Sequence, residues 1–445
     1  MSLRQLGDRH FWGVSLSVTT AEVLDVTPAA GPVPSGTVKC GTVQFLGRER
    51  AYWRLRLKGA LLVMITLGIY RFWLATDVRR FLWSNTEIAG DTLEYNGLAT
   101  ELLTGFLLAI AILAPLYTAI AVVTLELGAA GVSAAAAFLI LAFLGEFALY
   151  RARRYRLTRT VFRGLRFDQH GPAWYYAVRA LAWWGAVIVT LGLAYPWMQA
   201  SLERFKMHNT SFGDLHGRFE GSGAGLFLRG LPIWLLVVGP LVVALAAFVA
   251  LTDWDTLTKL QDGGSDDSTA EIMGAALFRG SGTVPIAIAA SALALVLLYP
   301  LFQAIVLRWW LSGLRFGPVS VTSRLRAGKV YRVYIRFVLY LLLFGIATLV
   351  AVVVGLALVG DLVSPRHDSS ASEIVASLIT VGLYVATALG ISVIYQVVVA
   401  AGMWRLGAQS VELAGIEALD EVRAEGAPSS ALGEGLADAL GVGGI

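Results

Sequence analysis

Apolar residues in this chain come in long runs separated by short polar stretches. Six runs stand out: Leu102 to Val123, Gly131 to Leu149, Leu226 to Leu251, Val284 to Leu307, Phe337 to Val359 and Ile374 to Met403. Each approaches or exceeds the roughly 20 apolar residues that an α-helix needs to cross a bilayer. Two further runs, Leu61 to Leu74 and Ala177 to Met198, are shorter or broken, the first by Gly68 and the second by Gly192 and Pro196. Each of these two spans, dips in and returns, or lies flat. The pattern therefore predicts six to eight membrane helices.

The polar stretches repeat. Met64 to Trp73 reads MITLGIYRFW and Val187 to Trp197 reads VIVTLGLAYPW, and both run into basic segments. Arg79 to Gly97 (RRFLWSNTEIAGDTLEYNG) and Glu203 to Gly221 (ERFKMHNTSFGDLHGRFEG) share Arg-Phe, Asn-Thr, Gly, an aromatic and Gly. The repeat positions matching the first copy are Thr190, Gly192, Trp197, Arg204, Thr210 and Gly213. A second likeness pairs Phe162 to Phe167 (FRGLRF) with Leu311 to Phe316 (LSGLRF). Alternating apolar and polar residues broken by glycine suit short strands joined by turns. The expected fold is an α-helical polytopic membrane protein, with internal repeats separated by short cytoplasmic β-like hairpins. Its expected divisions are a disordered leader (1–44), a first membrane repeat (45–172), a second (173–328), a partial third (329–416) and a flexible tail (417–445).

Composition agrees: 57% of the 445 residues are hydrophobic and 15% charged, where a soluble domain carries about 25% charged residues. Charge placement then orders the runs. Arg151, Arg153, Arg154, Arg156, Arg159, Arg163 and Arg166 follow one run, and Arg308 to Arg332 is basic, while Asp253 to Glu271 is acidic. Basic loops stay in the cytoplasm, so the two basic segments should share a side. They do so if the Leu61 and Ala177 runs fail to cross, and the charge rule favours that arrangement over eight spans. Either arrangement leaves both termini cytoplasmic. Residues 1–47 lack the pattern of a secretory signal. Cys40 is the sole cysteine, which excludes intrachain disulfides and cysteine-ligated metal.

Candidate chemistry is sparse. The five histidines form no His-Glu-x-x-His pair, and no phosphate loop or nucleophile elbow is present. His208 and His216 flank Asp214 at a spacing that weakly suits a metal, yet residues of this kind ordinarily face water. No metal, cofactor or nucleic acid is expected. Ionisable residues within apolar runs are costly and so mark possible function. Glu146 lies deepest, and with Arg179 and Arg229 it forms the candidate contact set for a substrate or ion. Arg153, Arg154 and Arg156 are candidates for lipid headgroups, because clustered cations beside a bilayer attract anionic lipid.

Phe45-Leu46-Gly47, Thr66-Leu67-Gly68-Ile69-Tyr70, Trp73, Arg79-Arg80-Phe81, Asn85-Thr86, Gly90 and Tyr95-Asn96-Gly97 together resemble the YjgN-like family, also called DUF898. The likeness runs from about Phe45 to the carboxyl end, and Lys58 and Gly59 depart from it where the family tends to have Asn. The family-motif positions are Thr66, Gly68, Tyr70, Trp73, Arg79, Arg80, Thr86, Gly90, Tyr95 and Gly97. The resemblance implies a bacterial inner-membrane protein of undefined function, with membrane lipids and a membrane-associated metallopeptidase as partners. Two functions compete. One is a transporter or channel for a small solute, ion or lipid. The other is a non-catalytic scaffold or accessory subunit that docks lipid or a peptidase through basic hairpins.

Overall fold

The computed structural model describes residues 40–126, 130–252, 254, 282–362, 369–423 and 432–440. The leader up to residue 39, nearly all of the acidic stretch 253–271 and residues 363–368, 424–431 and 441–445 lie outside the described residues.

The chain runs through five consecutive strand–helix–helix–strand units. The first is β1 (Cys40–Phe45), α1 (Glu49–Ile65), α2 (Arg71–Ser84) and β2 (Thr86–Ile88). The second is β3 (Asp91–Tyr95), α3 (Ala99–Glu126), α4 (Ala130–Thr158) and β4 (Thr160–Phe162). The third is β5 (Leu165–Gln169), α5 (Ala173–Val189), α6 (Tyr195–His208) and β6 (Thr210–Phe212). The fourth is β7 (Leu215–Phe219), α7 (Gly223–Leu251), α8 (Thr283–Gly313) and β8 (Leu314–Phe316). The fifth is β9 (Val319–Ser323), α9 (Ala327–Leu362), α10 (Ser369–Ile394), a π-helical turn (Tyr395–Ala400), α11 (Ala401–Gln409) and β10 (Val411–Ala414). A 3₁₀ turn (Ile416–Leu419) and α12 (Leu432–Ala439) follow.

The ten strands pair antiparallel in chain order and β10 returns to β1, closing a barrel. This corrects the expected fold class of an α-helical protein with separate β-like hairpins. A hairpin of three- and five-residue strands leaves unpaired N–H and C=O groups along both edges and is marginal alone. Pairing across each helix pair, as in Val43 with Ile88 and Leu93 with Phe162, removes those edges. The basic stretch after Leu149 is corrected as well: α4 continues to Thr158, so Arg151 to Arg156 are helical.

Because the strands alternate in direction, all five helix pairs leave one mouth and the four tight turns lie at the other. Ala89-Gly90 and Arg163-Gly164 hold positive φ at both central positions, the type I′ geometry that matches strand twist. The other two turns begin with Gly213 (φ 54°) and Gly317 (φ 52°). FRGLRF is thus a strand–turn–strand, whereas LSGLRF joins the end of α8 to β8, so these two segments occupy different places. The barrel interior is filled: the Phe212 ring lies 4.7 Å from Phe167 and 5.9 Å from Phe162, and Phe316 lies 6.1 Å from Phe167. Leu419 and Val422, beyond β10, pack on the same cluster. Asp420 is held by Arg163 at 2.6 Å, and Asp214 accepts from the Arg423 amide at 3.2 Å.

Among the described residues six helices are long and apolar enough to cross a membrane: α3, α4, α7, α8, α9 and the α10–α11 continuation. The runs at 61–74 and 177–198 instead fold back as the pairs α1–α2 and α5–α6. At 17 residues, α1 and α5 reach about 25 Å, short of the roughly 30 Å hydrocarbon core. Their tips share one device. Gly68 N–H donates to Val63 O and Leu67 N–H to Met64 O, and Gly192 and Leu191 bond Val187 O and Ile188 O in the same way. This double bond ends a helix in left-handed backbone, and Gly68 and Gly192 sit at φ 94° and 93°. Thr66 and Thr190 close the turn, each donating to a carbonyl four residues back at 2.7 Å and accepting from the amide four residues ahead at 3.0 Å. A Cβ at Gly68 meets no atom within 4 Å, so Gly68→Ala tests backbone strain alone. It should cost about 1–2 kcal/mol in chemical unfolding, whereas Gly185→Ala, on the helical part of α5 and equally unobstructed, should be neutral or stabilising.

Candidate anion-binding cavities

Most motif residues hold the barrel mouth together. Thr86, Thr160 and Thr210 open β2, β4 and β6 and turn their hydroxyls back to the carbonyls of Leu82, Arg156 and Lys206 at 2.7, 2.8 and 2.7 Å. Asn85 and Asn209 donate to Phe81 O and Phe205 O at 2.7 Å. Each satisfies carbonyls left over at a helix end. Phe45, Tyr95 and Phe219 fold over Gly47, Gly97 and Gly221, where a Cβ would lie 2.4 to 2.5 Å from the ring or its hydroxyl. Arg405, Arg80 and Arg204 donate to the carbonyls of those same glycines at 3.0, 3.1 and 3.3 Å. Gly90 and Gly213 form barrel turns. Trp73 stacks on Tyr70 at 6.3 Å and Trp197 packs on Phe227 at 4.9 Å. These roles are architectural, and Arg79 alone of the family-motif positions is buried against a carboxylate.

Two polar cavities adjoin this ring. The first, about 320 Å³, lies at the seam where the first unit meets the fifth, between α1, α9 and α11. Arg48, Lys329, Arg332, Arg336 and Arg405 line it against one carboxylate, Glu49. Glu49 pairs with Arg336 and lies 4.0 Å from Arg405. The side chains of Arg48, Lys329 and Arg332 are exposed and make no hydrogen bond or ion pair among the described residues. One wall is the π-helical turn, through Val397 and Val398; such bulges recur at functional sites.

The second cavity, about 180 Å³, lies across the partition formed by α1 and the π turn. Arg56 stitches that partition, donating to Tyr52 Oη at 3.0 Å and Gln396 Oε1 at 3.1 Å. Arg56, Arg71 and Arg79 line this cavity with Glu434 and Asp438 of α12. Arg79 is 4% exposed; it donates to Tyr95 Oη at 3.1 Å and bonds Glu434. Burial works against its charge, but Glu434 and Tyr95 outweigh burial and hold it above the ordinary guanidinium range. Arg71 pairs with Asp438 at 2.8 Å, and burial pushes the Asp438 carboxyl up despite that cation.

A further charge cluster joins α6 to α4 and α8 around a buried carboxylate. Glu203, 6% exposed, pairs with Lys206, accepts from Trp310 Nε1 at 3.0 Å and lies 3.6 Å from Arg153. Burial raises its pKa, but Lys206 and Arg153 outweigh burial and hold it below the ordinary carboxylate range.

Glu146, on α4, accepts from Trp184 Nε1 of α5 at 2.9 Å, and Arg179 holds Ser201 Oγ of α6 at 2.7 and 3.1 Å. Arg229 is exposed on α7 and its side chain makes no hydrogen bond or ion pair among the described residues. None of the three lines either polar cavity. Arg153 and Arg156 turn inward, Arg156 Nε lying 3.9 Å from Glu434 Oε2. Arg154 is half-buried between them. His208 and His216 are exposed, and no group of His, Cys, Asp and Glu able to hold a metal occurs among the described residues. The seam cations escaped sequence reading because Arg48, Arg332 and Arg405 are far apart in the chain and meet only on closure.

Fold and site define a chain whose described residues hold six helices of membrane-spanning length and apolar character, sprung from one mouth of a closed, side-chain-filled barrel. The chain belongs to the DUF898 (YjgN-like) family, described as bacterial protein of unknown function, whose model matches residues 41–439. No curated protein and no solved structure matches it.

Proposed function

We propose that this protein is an inner-membrane transporter for a small anionic solute or anionic lipid, with the seam cavity as its binding site. One observation carries the reading: five cations surround about 320 Å³ against one carboxylate, and three of them have no protein partner among the described residues. Fixed cations facing a low-dielectric space attract anions strongly. The filled barrel interior argues that the barrel is scaffold and that solute passes beside it. The recurring strand–helix–helix–strand unit supports an origin in internal repeats, which transporters commonly use. β1 begins and β10 ends at the turn-bearing mouth, which supports termini on one side, and the basic ends of α4 and α8 favour the cytoplasm for that side.

A second reading, a membrane scaffold binding lipid or a metallopeptidase, draws on how little of each long apolar helix is buried within the chain, between 0% and 17% of its most apolar stretch. Binding tests the site and uptake separates the two readings. In phosphatidylcholine nanodiscs titrated with short-chain phosphatidylglycerol, the K329E/R332E variant should bind at least about tenfold more weakly than the parent, a difference of about 1.4 kcal/mol. It should also lose uptake of the same lipid in proteoliposomes. Equal affinity would remove the seam-site reading; weakened binding with no uptake by the parent would favour the scaffold.

A further inference from the structure

We propose that the second cavity is a binding site for a phosphate group, and that α12 is an intramolecular occupant that a phosphate-bearing ligand displaces. The inference stands apart from the seam-cavity reading, because it concerns other residues and its variants leave Lys329 and Arg332 unchanged.

The site is built by elements distant in sequence. Arg71 opens α2 and Arg79 lies about two turns further along it, both lining the cavity, while Arg156, in the last turn of α4, stands behind Glu434 without lining it. Into this cationic space α12 delivers two carboxylates one helical turn apart, Glu434 on Arg79 and Asp438 on Arg71. The arginines belong to the helical frame of the barrel mouth; the carboxylates arrive on an eight-residue helix at the end of the chain. The match is incomplete. Glu434 Oε2 is buried, accepts no hydrogen bond among the described residues, and lies 3.9 Å from Arg156 Nε. A planar carboxylate has two oxygens for the arginines that converge here, whereas a phosphate offers three or more at tetrahedral angles. Guanidinium groups bind phosphate in paired hydrogen bonds, so the geometry favours the tetrahedral anion.

The seat of α12 is also built for close but glycine-dependent contact. A Cβ at Gly435 would fall 1.9 Å from the Gly105 carbonyl carbon, and one at Gly433 would fall 2.0 Å from Arg151 Cβ. The helix therefore docks only because both positions lack side chains. Leu436 and Ala437 pack on Ala109, Leu113, Ala148 and Ala152, closing the gap between α3 and α4. Leaving this seat would open the arginines toward the helices, where a lipid headgroup or a soluble phosphate would enter.

Gly435→Val is the decisive variant, because it blocks docking and touches none of the arginines. The full chain in phosphatidylcholine nanodiscs is titrated separately with short-chain phosphatidic acid and with inorganic phosphate, reading bound ligand by native mass spectrometry and α12 by hydrogen exchange. The parent should show faster exchange in 432–439 as ligand binds, and Gly435→Val should bind at least tenfold more tightly. Arg71→Gln, at a half-exposed position that folding tolerates, should weaken binding in the Gly435→Val background. A response to phosphatidic acid alone makes the source a lipid headgroup, and an equal response to inorganic phosphate makes it the free anion. Faster α12 exchange in Gly435→Val with no gain in affinity for either ligand would overturn the proposal and leave α12 a structural wedge.

Discussion

Phe212→Ala should lower the stability of the chain by about 3–5 kcal/mol, the cost of removing a buried phenyl ring. Phe212 is 2% exposed, sits on the three-residue strand β6 and joins the rings of Phe162 and Phe167. Strands this short contribute few ladder bonds each, so the barrel depends on the rings inside it. The neighbours are anchored on different strands and cannot collapse into the space without moving the ladder. SDS-induced unfolding in mixed micelles, followed by tryptophan emission, measures the loss. Phe138→Ala, on a ring 68% exposed, should change the midpoint little. A loss below about 1 kcal/mol for Phe212→Ala would mean that the interior rings do not form a packed core.

Glu203→Ala should cost about 3 kcal/mol, the lower end of what breaking a buried pair costs, because it takes a buried carboxylate from the half-buried Lys206 and Arg153. The same group predicts a pH dependence. Its folded pKa lies below its ordinary value, so ionised Glu203 stabilises the fold above roughly pH 4.3. That stabilisation is lost as pH falls through the lower folded value. Glu203→Gln keeps the shape and lacks the titration. The stability gap between parent and Glu203→Gln should therefore narrow as pH drops from 7 toward 3. A gap that stays constant would show that the carboxylate is not held by its cations.

The six runs long and apolar enough to cross a membrane were legible because a bilayer imposes length and continuity on apolar residues, and both are visible in one dimension. Likewise the Thr-Leu-Gly turns at 66–68 and 190–192 announce themselves, since the hydroxyl and the glycine act on backbone within five residues. Short strands after Asn-Thr could be read from alternation and glycine. Their closure could not, because Cys40 pairs with Ala414 across most of the chain and no local residue encodes that partner. Glu146, Arg179 and Arg229 drew notice as charges near apolar runs; the structure gives the first two hydrogen-bonded partners on neighbouring helices and leaves the third exposed.

Sequence alone determined which segments are apolar enough for a membrane, where the two short runs break, and which residues cap and turn. These properties depend on neighbours a few positions away and on the solvent. Only the tertiary structure decided that ten short strands become one barrel, that Arg48, Lys329, Arg332 and Arg405 share a cavity, and that Glu434 meets Arg79. Those outcomes depend on edges and charges hundreds of residues apart. Backbone groups without partners and buried charges without counterions are both costly, and closing the ring is what brings their partners within reach.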